Sequence, residues 1–184
     1  MPRPTYNGGV DRALNLLLYP SNLASPGRLV KIARSLSPLF SQTHVVGIDQ
    51  GELPADEAVA PTVHLTRIRG AALGAPLGGL RVVAAWGARV YRRFARQRVA
   101  AVSAQNLFLL PLAHALARRT GAVFAYNAHE LETETVGSAG LRQRLQRVIE
   151  RHYIRRADVV SVVNESIAQW YREAYPGVDP VVVT

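Results

Sequence analysis

Residues 122–132 read AVFAYNAHELE, and the change of character inside that stretch decides the fold. Ala122–Asn127 mixes small, β-branched and aromatic residues, as a buried strand does. His129, Glu130 and Glu132 follow at once and open a polar loop running to Gly140. The segment therefore predicts a strand whose carboxyl end carries a His beside a Glu. A neutral imidazole there can accept a proton or a hydrogen bond, and a carboxylate can orient the ring or a substrate hydroxyl. Read without other context, the same residues also fit a capping His and two solvated charges.

Working outward, helical stripes alternate with short apolar runs. On the amino side, Ala100–Gln105 (AAVSAQ) is a short strand, and Leu107–Arg119 is a helix either kinked or started late by Pro111 and ended by Gly121. Before them, Leu80, Val83, Ala84, Gly87, Val90, Tyr91 and Phe94 form one face of a long helix. Earlier still, Thr62–Ile68, His44–Ile48 and Ala13–Pro20 read as strands, although the leucines of Ala13–Pro20 would also permit helix, with a helix from Gly27 to Leu36 between the first two of the chain. On the carboxyl side, Leu141, Leu145, Val148, Ile149, His152 and Tyr153 predict the buried stripe of a helix. Val159–Val163 is a strand, Asn164 an N-cap with Ile167, Trp170, Tyr171 and Ala174 on one helical face, and Pro180–Thr184 a last strand.

This order predicts a Rossmann-like three-layer α/β sandwich with a mainly parallel sheet of about seven strands. Ligands of such sheets bind outside the carboxyl ends of the strands. That directs attention to the loops after the strands at residues 13–20, 100–105, 122–127 and 159–163.

Composition narrows the chemistry. The chain has 184 residues, 48% hydrophobic and 19% charged, which suits one globular domain. It has no cysteine, so disulfides, thiolate catalysis and Cys-based zinc sites are excluded. No uninterrupted apolar run reaches the ~18 residues of a spanning helix. Residues 1–12 are polar, lack an apolar core, and are expected to be a flexible tail ahead of a cytoplasmic domain. Net charge is +9, and ten arginines but no acidic residue lie between Glu57 and Glu130. A field of one sign attracts anions such as phosphates or lipid headgroups. No aromatic-basic module marks nucleic-acid binding. GxGxxG after the first strand, GxxxxGK[ST], GxSxG and HExxH are all missing, and no His pair has metal-ligand spacing.

The segment YNAHELE, the polar loop after it, and IERHYIRRADVVSVVNESIAQWY (residues 149–171) together resemble family 4 glycosyltransferases of the GT-B fold. Ala157–Val163 (ADVVSVV) carries that resemblance best; the order of elements agrees over residues 13–184, and the residues themselves agree from about Ala100 onward. The resemblance implies that 13–184 is the N-terminal, acceptor-side half of a GT-B glycosyltransferase, whose C-terminal donor domain is not in this sequence. It implies sugar transfer from a nucleotide-sugar to a glycan, lipid-linked or small-molecule acceptor, retaining and without a metal or resident cofactor. His129 is then the expected catalytic residue, facing the interdomain cleft. Asn127 stands where the family often has aspartate and is expected to contact substrate. Glu130 is expected to position a hydroxyl, and Pro26, Gly27, Gln105 and Asn106 to line the cleft as strand-end loop residues. Gly27 at a helix start suits an anion, although SPGR (residues 25–28) replaces the Gly-Gly pair common in the family.

Glu165 and Glu173 imitate a Glu-x7-Glu motif but read as solvated charges on an amphipathic helix. Many relatives act on lipid-linked acceptors, so the arginine-rich helices 80–98 and 141–156 imply contact with an anionic membrane at the inner face of the plasma membrane. Two other readings stay open: a non-catalytic basic module that binds a membrane or a partner protein, and a GT-B-like sugar-nucleotide epimerase.

Overall fold

The structure is a computed structural model that describes residues 13–70, 78–131 and 141–183. The expected flexible tail, most of the Gly70–Gly79 loop and most of the polar loop before Gly140 lie outside the described residues. The strands are β1 (Leu14–Leu18), β2 (Gln42–Asp49), β3 (Asp56–Ala60), β4 (Val63–Arg69), β5 (Val99–Ala104), β6 (Val123–Ala128), β7 (Val159–Val162) and β8 (Val181–Val182). The helices are α1 (Gly27–Leu36), α2 (Gly78–Phe94), α3 (Leu110–Thr120), α4 (Leu141–Tyr153) and α5 (Glu165–Ala174). Together they form one eight-stranded sheet in the order β3-β4-β2-β1-β5-β6-β7-β8. Every neighbouring pair is parallel except β3 with β4. All seven expected strands form. The eighth, β3, was missed because its sequence, DEAVA, is that of a charged edge strand, which guards a sheet margin against pairing.

β1 is the middle of the design. Its run LNLLL is buried on both faces, as central parallel strands are. Leu16 and Leu18 join one core with α2, α3 and α5, while Leu17 joins a second with Leu29 and Ala33 of α1. Among the described residues, α1 alone covers the second face, over β1, β2 and β4. The outer face of the opposite half is left open at Val159, Val181 and Val183, which are 43%, 56% and 57% exposed.

Local chemistry sets the helix ends. Asn164 caps α5 by accepting the Ile167 N–H, as its position implies. Pro111 sits in the first turn of α3, and Gly121 ends that helix at φ 74°, where a side chain would be strained. Asp158, at the end of the ADVVSVV segment's opening pair, locks β7 to β6: its N–H donates to the Phe124 carbonyl and its carboxylate accepts the Phe124 N–H, both at 2.8 Å.

Two helices depart from the expected stripes: α2 buries Gly87, Val90 and Phe94 as expected and differs at single positions, α4 differs more widely. In α2, Trp86 is fully buried and donates its indole N–H to the Gly47 carbonyl, while Ala84 is exposed. In α4 the expected stripe holds only in part: Ile149 and Tyr153 pack against the core, but Val148 is 64% exposed, Leu145 36%, and His152 is exposed, whereas Gln146 and Glu150 are buried. The reason lies in α5. Tyr171 and Tyr175 each donate a hydroxyl to the Glu150 carboxylate at 2.8 Å, so a carboxylate takes the inner position.

Candidate functional site

The chain leaves β1 for one edge of the sheet and later returns to continue from β5 toward the other. β1 and β5 are neighbours, so the topological switch point lies between them. Register aligns the strand ends there: Leu18 pairs with Ala104, and Ala104 with Tyr126. The loops after β1, β5 and β6 therefore share one rim, carrying Pro26–Arg28, Gln105–Asn106 and His129–Glu130.

The loop after β1 is held from beneath. Leu23 adopts φ 55°, a left-handed conformation that is costly for a γ-branched residue, yet it is buried in the second core. Gly47 makes room for it: a Cβ there would stand 2.4 Å from Leu23 Cγ and 2.6 Å from the Ser21 carbonyl oxygen. Arg67 binds the loop through the carbonyls of Asn22 and Leu23, at 2.8 and 3.0 Å. Pro26 then precedes the first turn of α1, with Gly27 and Arg28 exposed at its start.

His129 is half-buried at the end of β6, and its Nε2 lies 3.1 Å from Gln105 Oε1. A carboxamide oxygen only accepts, so Nε2 carries the proton. Nδ1 has no hydrogen-bond partner among the described residues. Burial, and then the positive charge of Arg28, lower the pKa of His129 from 6.5 to about 4. The ring is neutral near pH 7, with one nitrogen engaged and the other open.

Gln105 differs from its expected place. It is only 3% exposed, so it does not line the cleft; its amide spans Ser103 Oγ at 2.7 Å and the His129 ring. Asn106 turns its side-chain oxygen to the Phe108 N–H and caps the turn before α3. Asn127 is tied into the sheet: its Nδ2 donates to Ser103 Oγ at 3.1 Å, and its Oδ1 accepts the Ser161 hydroxyl. Pro26, Gly27, His129 and Glu130 do lie on the rim, and Glu130 is exposed.

Arg28, Ser103 and Ser161 were not singled out from the sequence. The two serines were legible in principle. On β5, β6 and β7 the odd-numbered positions carry Ser103 with Gln105 after it, Asn127 with His129 after it, and Ser161, while Val102, Ala104, Phe124, Tyr126, Val160 and Val162 enter the core. Period-two alternation places the polar set on one face. Among the described residues no three His, Asp or Glu side chains converge to hold a metal ion.

The glycosyl transferase 4-like domain profile matches residues 28–184. Among solved structures, one of sucrose-phosphate synthase from Thermosynechococcus elongatus superposes with a TM-score of 0.67 at 10% identity, over 92% of this chain and 84% of that one. Another of the same protein gives 0.71 at 11% identity, over 93% of this chain and 46% of that one, so the present chain spans under half of its length. At such identities the likeness speaks to the fold. A comparison with curated proteins found none that matches. With its own sheet and that profile in agreement, the chain belongs to the glycosyl transferase 4-like domain family and has the fold of the N-terminal half of a GT-B glycosyltransferase.

Proposed function

We propose that residues 13–184 form the acceptor-side wall of an enzyme that moves a sugar from a nucleotide-sugar to an acceptor hydroxyl, the donor wall being supplied by a second domain. The observation that carries this reading is the neutral His129, held through Nε2 and open at Nδ1, at the switch point of the sheet beside Arg28. In the transfer, the acceptor oxygen bonds to the anomeric carbon as that carbon's bond to the diphosphate oxygen breaks. A ring whose pKa is about 4 stores a proton poorly. Nδ1 therefore serves as a hydrogen-bond acceptor that orients the hydroxyl, and the departing diphosphate takes the proton. The cationic Arg28 and the free N–H groups of the first turn of α1 favour the anionic end of the donor. Glu130 on the same rim holds a second hydroxyl.

Release of nucleoside diphosphate from a panel of UDP- and GDP-sugars, by the protein carrying both domains, tests this. His129→Ala is expected to lower turnover by about 100-fold with the fold intact, the scale on which a misplaced reacting group costs rate. Near-native turnover in that variant would remove His129 from the mechanism. No turnover in the unaltered protein with any donor would favour the non-catalytic module.

Attachment to an anionic membrane is a second proposal, and it rests on α4. Leu145 and Val148 are exposed on the same helix as the exposed Arg144, Arg147 and Arg151, the arrangement of a helix that lies on a lipid surface. No helix among the described residues is long and apolar enough to cross a membrane. Sedimentation with phosphatidylglycerol vesicles should fall by about tenfold between 50 and 500 mM salt, because the attraction is screened. It should also fall in Leu145→Ser/Val148→Ser. Equal sedimentation with neutral vesicles would refute the electrostatic part.

A further inference from the structure

The polar side chains on the open face of β5, β6 and β7 form one directed chain. Ser161 donates its hydroxyl to Asn127 Oδ1, which fixes the Asn127 amide with its Nδ2 toward Ser103. Ser103 Oγ accepts that N–H at 3.1 Å and a second from Gln105 Nε2 at 2.7 Å. With its nitrogen committed to Ser103, the Gln105 amide can turn only its oxygen to His129 Nε2, at 3.1 Å. Gln105 and Ser103 are 3% and 6% exposed, so water competes little for these contacts. In this arrangement both amides turn their nitrogens to Ser103, which leaves the Gln105 oxygen for the ring. Register supports the geometry, since Asn127 pairs directly with Ser161.

We propose that Gln105 is a positioning residue: the chain from Ser161 through Asn127 and Ser103 orients its amide so that His129 is held as the Nε2–H tautomer, with the Nδ1 lone pair facing the cleft. The use of that lone pair in sugar transfer rests on the function proposed above. The tautomer does not, and it can be read without any substrate.

Long-range 1H–15N correlation spectra of the chain distinguish a protonated ring nitrogen from one bearing a lone pair. The resonances of His129 are assigned by their loss in His129→Asn. The native chain is expected to show the Nε2–H form in about tenfold excess or more, the preference one buried hydrogen bond supplies. Gln105→Met removes the acceptor at similar volume and should reduce that excess several-fold. Gln105→Glu keeps an acceptor oxygen, so it should restore the Nε2–H form, and its added negative charge should raise the pH at which His129 titrates. A native ring protonated on Nδ1 would overturn the proposal, as would an unchanged ratio in Gln105→Met. Should the Met variant not fold, Gln105→Glu decides alone: unaltered titration of His129 there would place Gln105 out of contact with the ring. Failure of these spectra with a catalytically essential His129 would reject the relay and keep the function; the reverse pattern would do the opposite.

Discussion

Arg67 commits all five of its N–H donors. Nε donates to the Asn22 carbonyl at 2.8 Å, Nη1 to the Pro54 carbonyl at 2.7 Å and Glu57 Oε2 at 3.1 Å, and Nη2 to the Leu23 carbonyl at 3.0 Å and again to Glu57 Oε2 at 3.1 Å. Its side chain is 3% exposed, so these bonds are made away from water, where an unpaired group is costly. One residue on β4 thereby ties the loop after β1 to the loop before β3 and holds Leu23 in its strained conformation. Arg67→Met should destabilise the fold by about 3 kcal/mol, the scale for breaking a buried charged network. Urea unfolding at constant m-value measures this, and a loss under ~0.5 kcal/mol would show that the loop holds itself. Arg67→Lys should recover only a minor part, because an ammonium offers three donors in no planar fork. None of this was legible in TVHLTRI, where Arg67 reads as the polar position of an alternating strand. The partners that justify its burial lie 10 to 45 residues away in sequence.

At the scale of elements, the sequence was most legible where a segment decides its own structure. Asn164 before an amphipathic run and Gly121 after one place the ends of α5 and α3 by local chemistry alone. Period and β-branching likewise find β2, β6 and β7. Legibility failed where the deciding partner belonged to another element. In α4, hydrophobicity names Leu145 and Val148 as the inner stripe, yet Glu150 is 0% exposed. The carboxylate is stable there because Tyr171 and Tyr175 of the α5 region supply hydroxyl donors, and burial with Tyr126 and Glu150 nearby suppresses the acidity of Tyr171 in turn. A window on α4 sees a charge and assigns it to solvent. The same limit explains the site. The place of His129 on the rim was legible because His-Glu at a strand end is a local signal. Gln105 was expected on the cleft wall, because its burial depends on which face of β5 the neighbouring strands leave polar.

Across the whole molecule, alternation of strands and helices gave the sheet and its switch point, but not the electrostatic balance of a chain of net charge +9. That balance bears on two histidines at opposite ends of the parallel strands. His44, near the start of β2, hydrogen-bonds Thr66 Oγ1 at 2.9 Å and Gln42 Oε1 at 3.2 Å and stacks on His64. Burial first, then His64 and Arg93, lower its pKa from 6.5 to about 4, against the opposing pull of Asp56. His129, on the rim, is lowered equally by burial and Arg28. Both pKa values lie below that of the unfolded chain, so between about 6.5 and 4 the unfolded state binds protons that the folded state refuses. The stabilisation is complete above pH ~6.5 and is lost as pH falls toward 4. A fully buried group would contribute ~1.4 kcal/mol per pH unit in that window. Solvent reaches both rings, and screening reduces the expected joint slope to about 1 kcal/mol per unit. Urea midpoints from pH 5 to 6.5 should therefore rise and then level off. Carboxylate titration adds a slope of the same sign at the acid end, so the decisive comparison is with His44→Gln. That variant keeps hydrogen-bonding capacity without a titrating ring, and it should lose roughly half of the slope while the plateau above pH 7 changes little. A slope identical to that of the native chain would show that His44 titrates normally in the fold, and that the stacked pair at the start of β2 and β4 tolerates a charge.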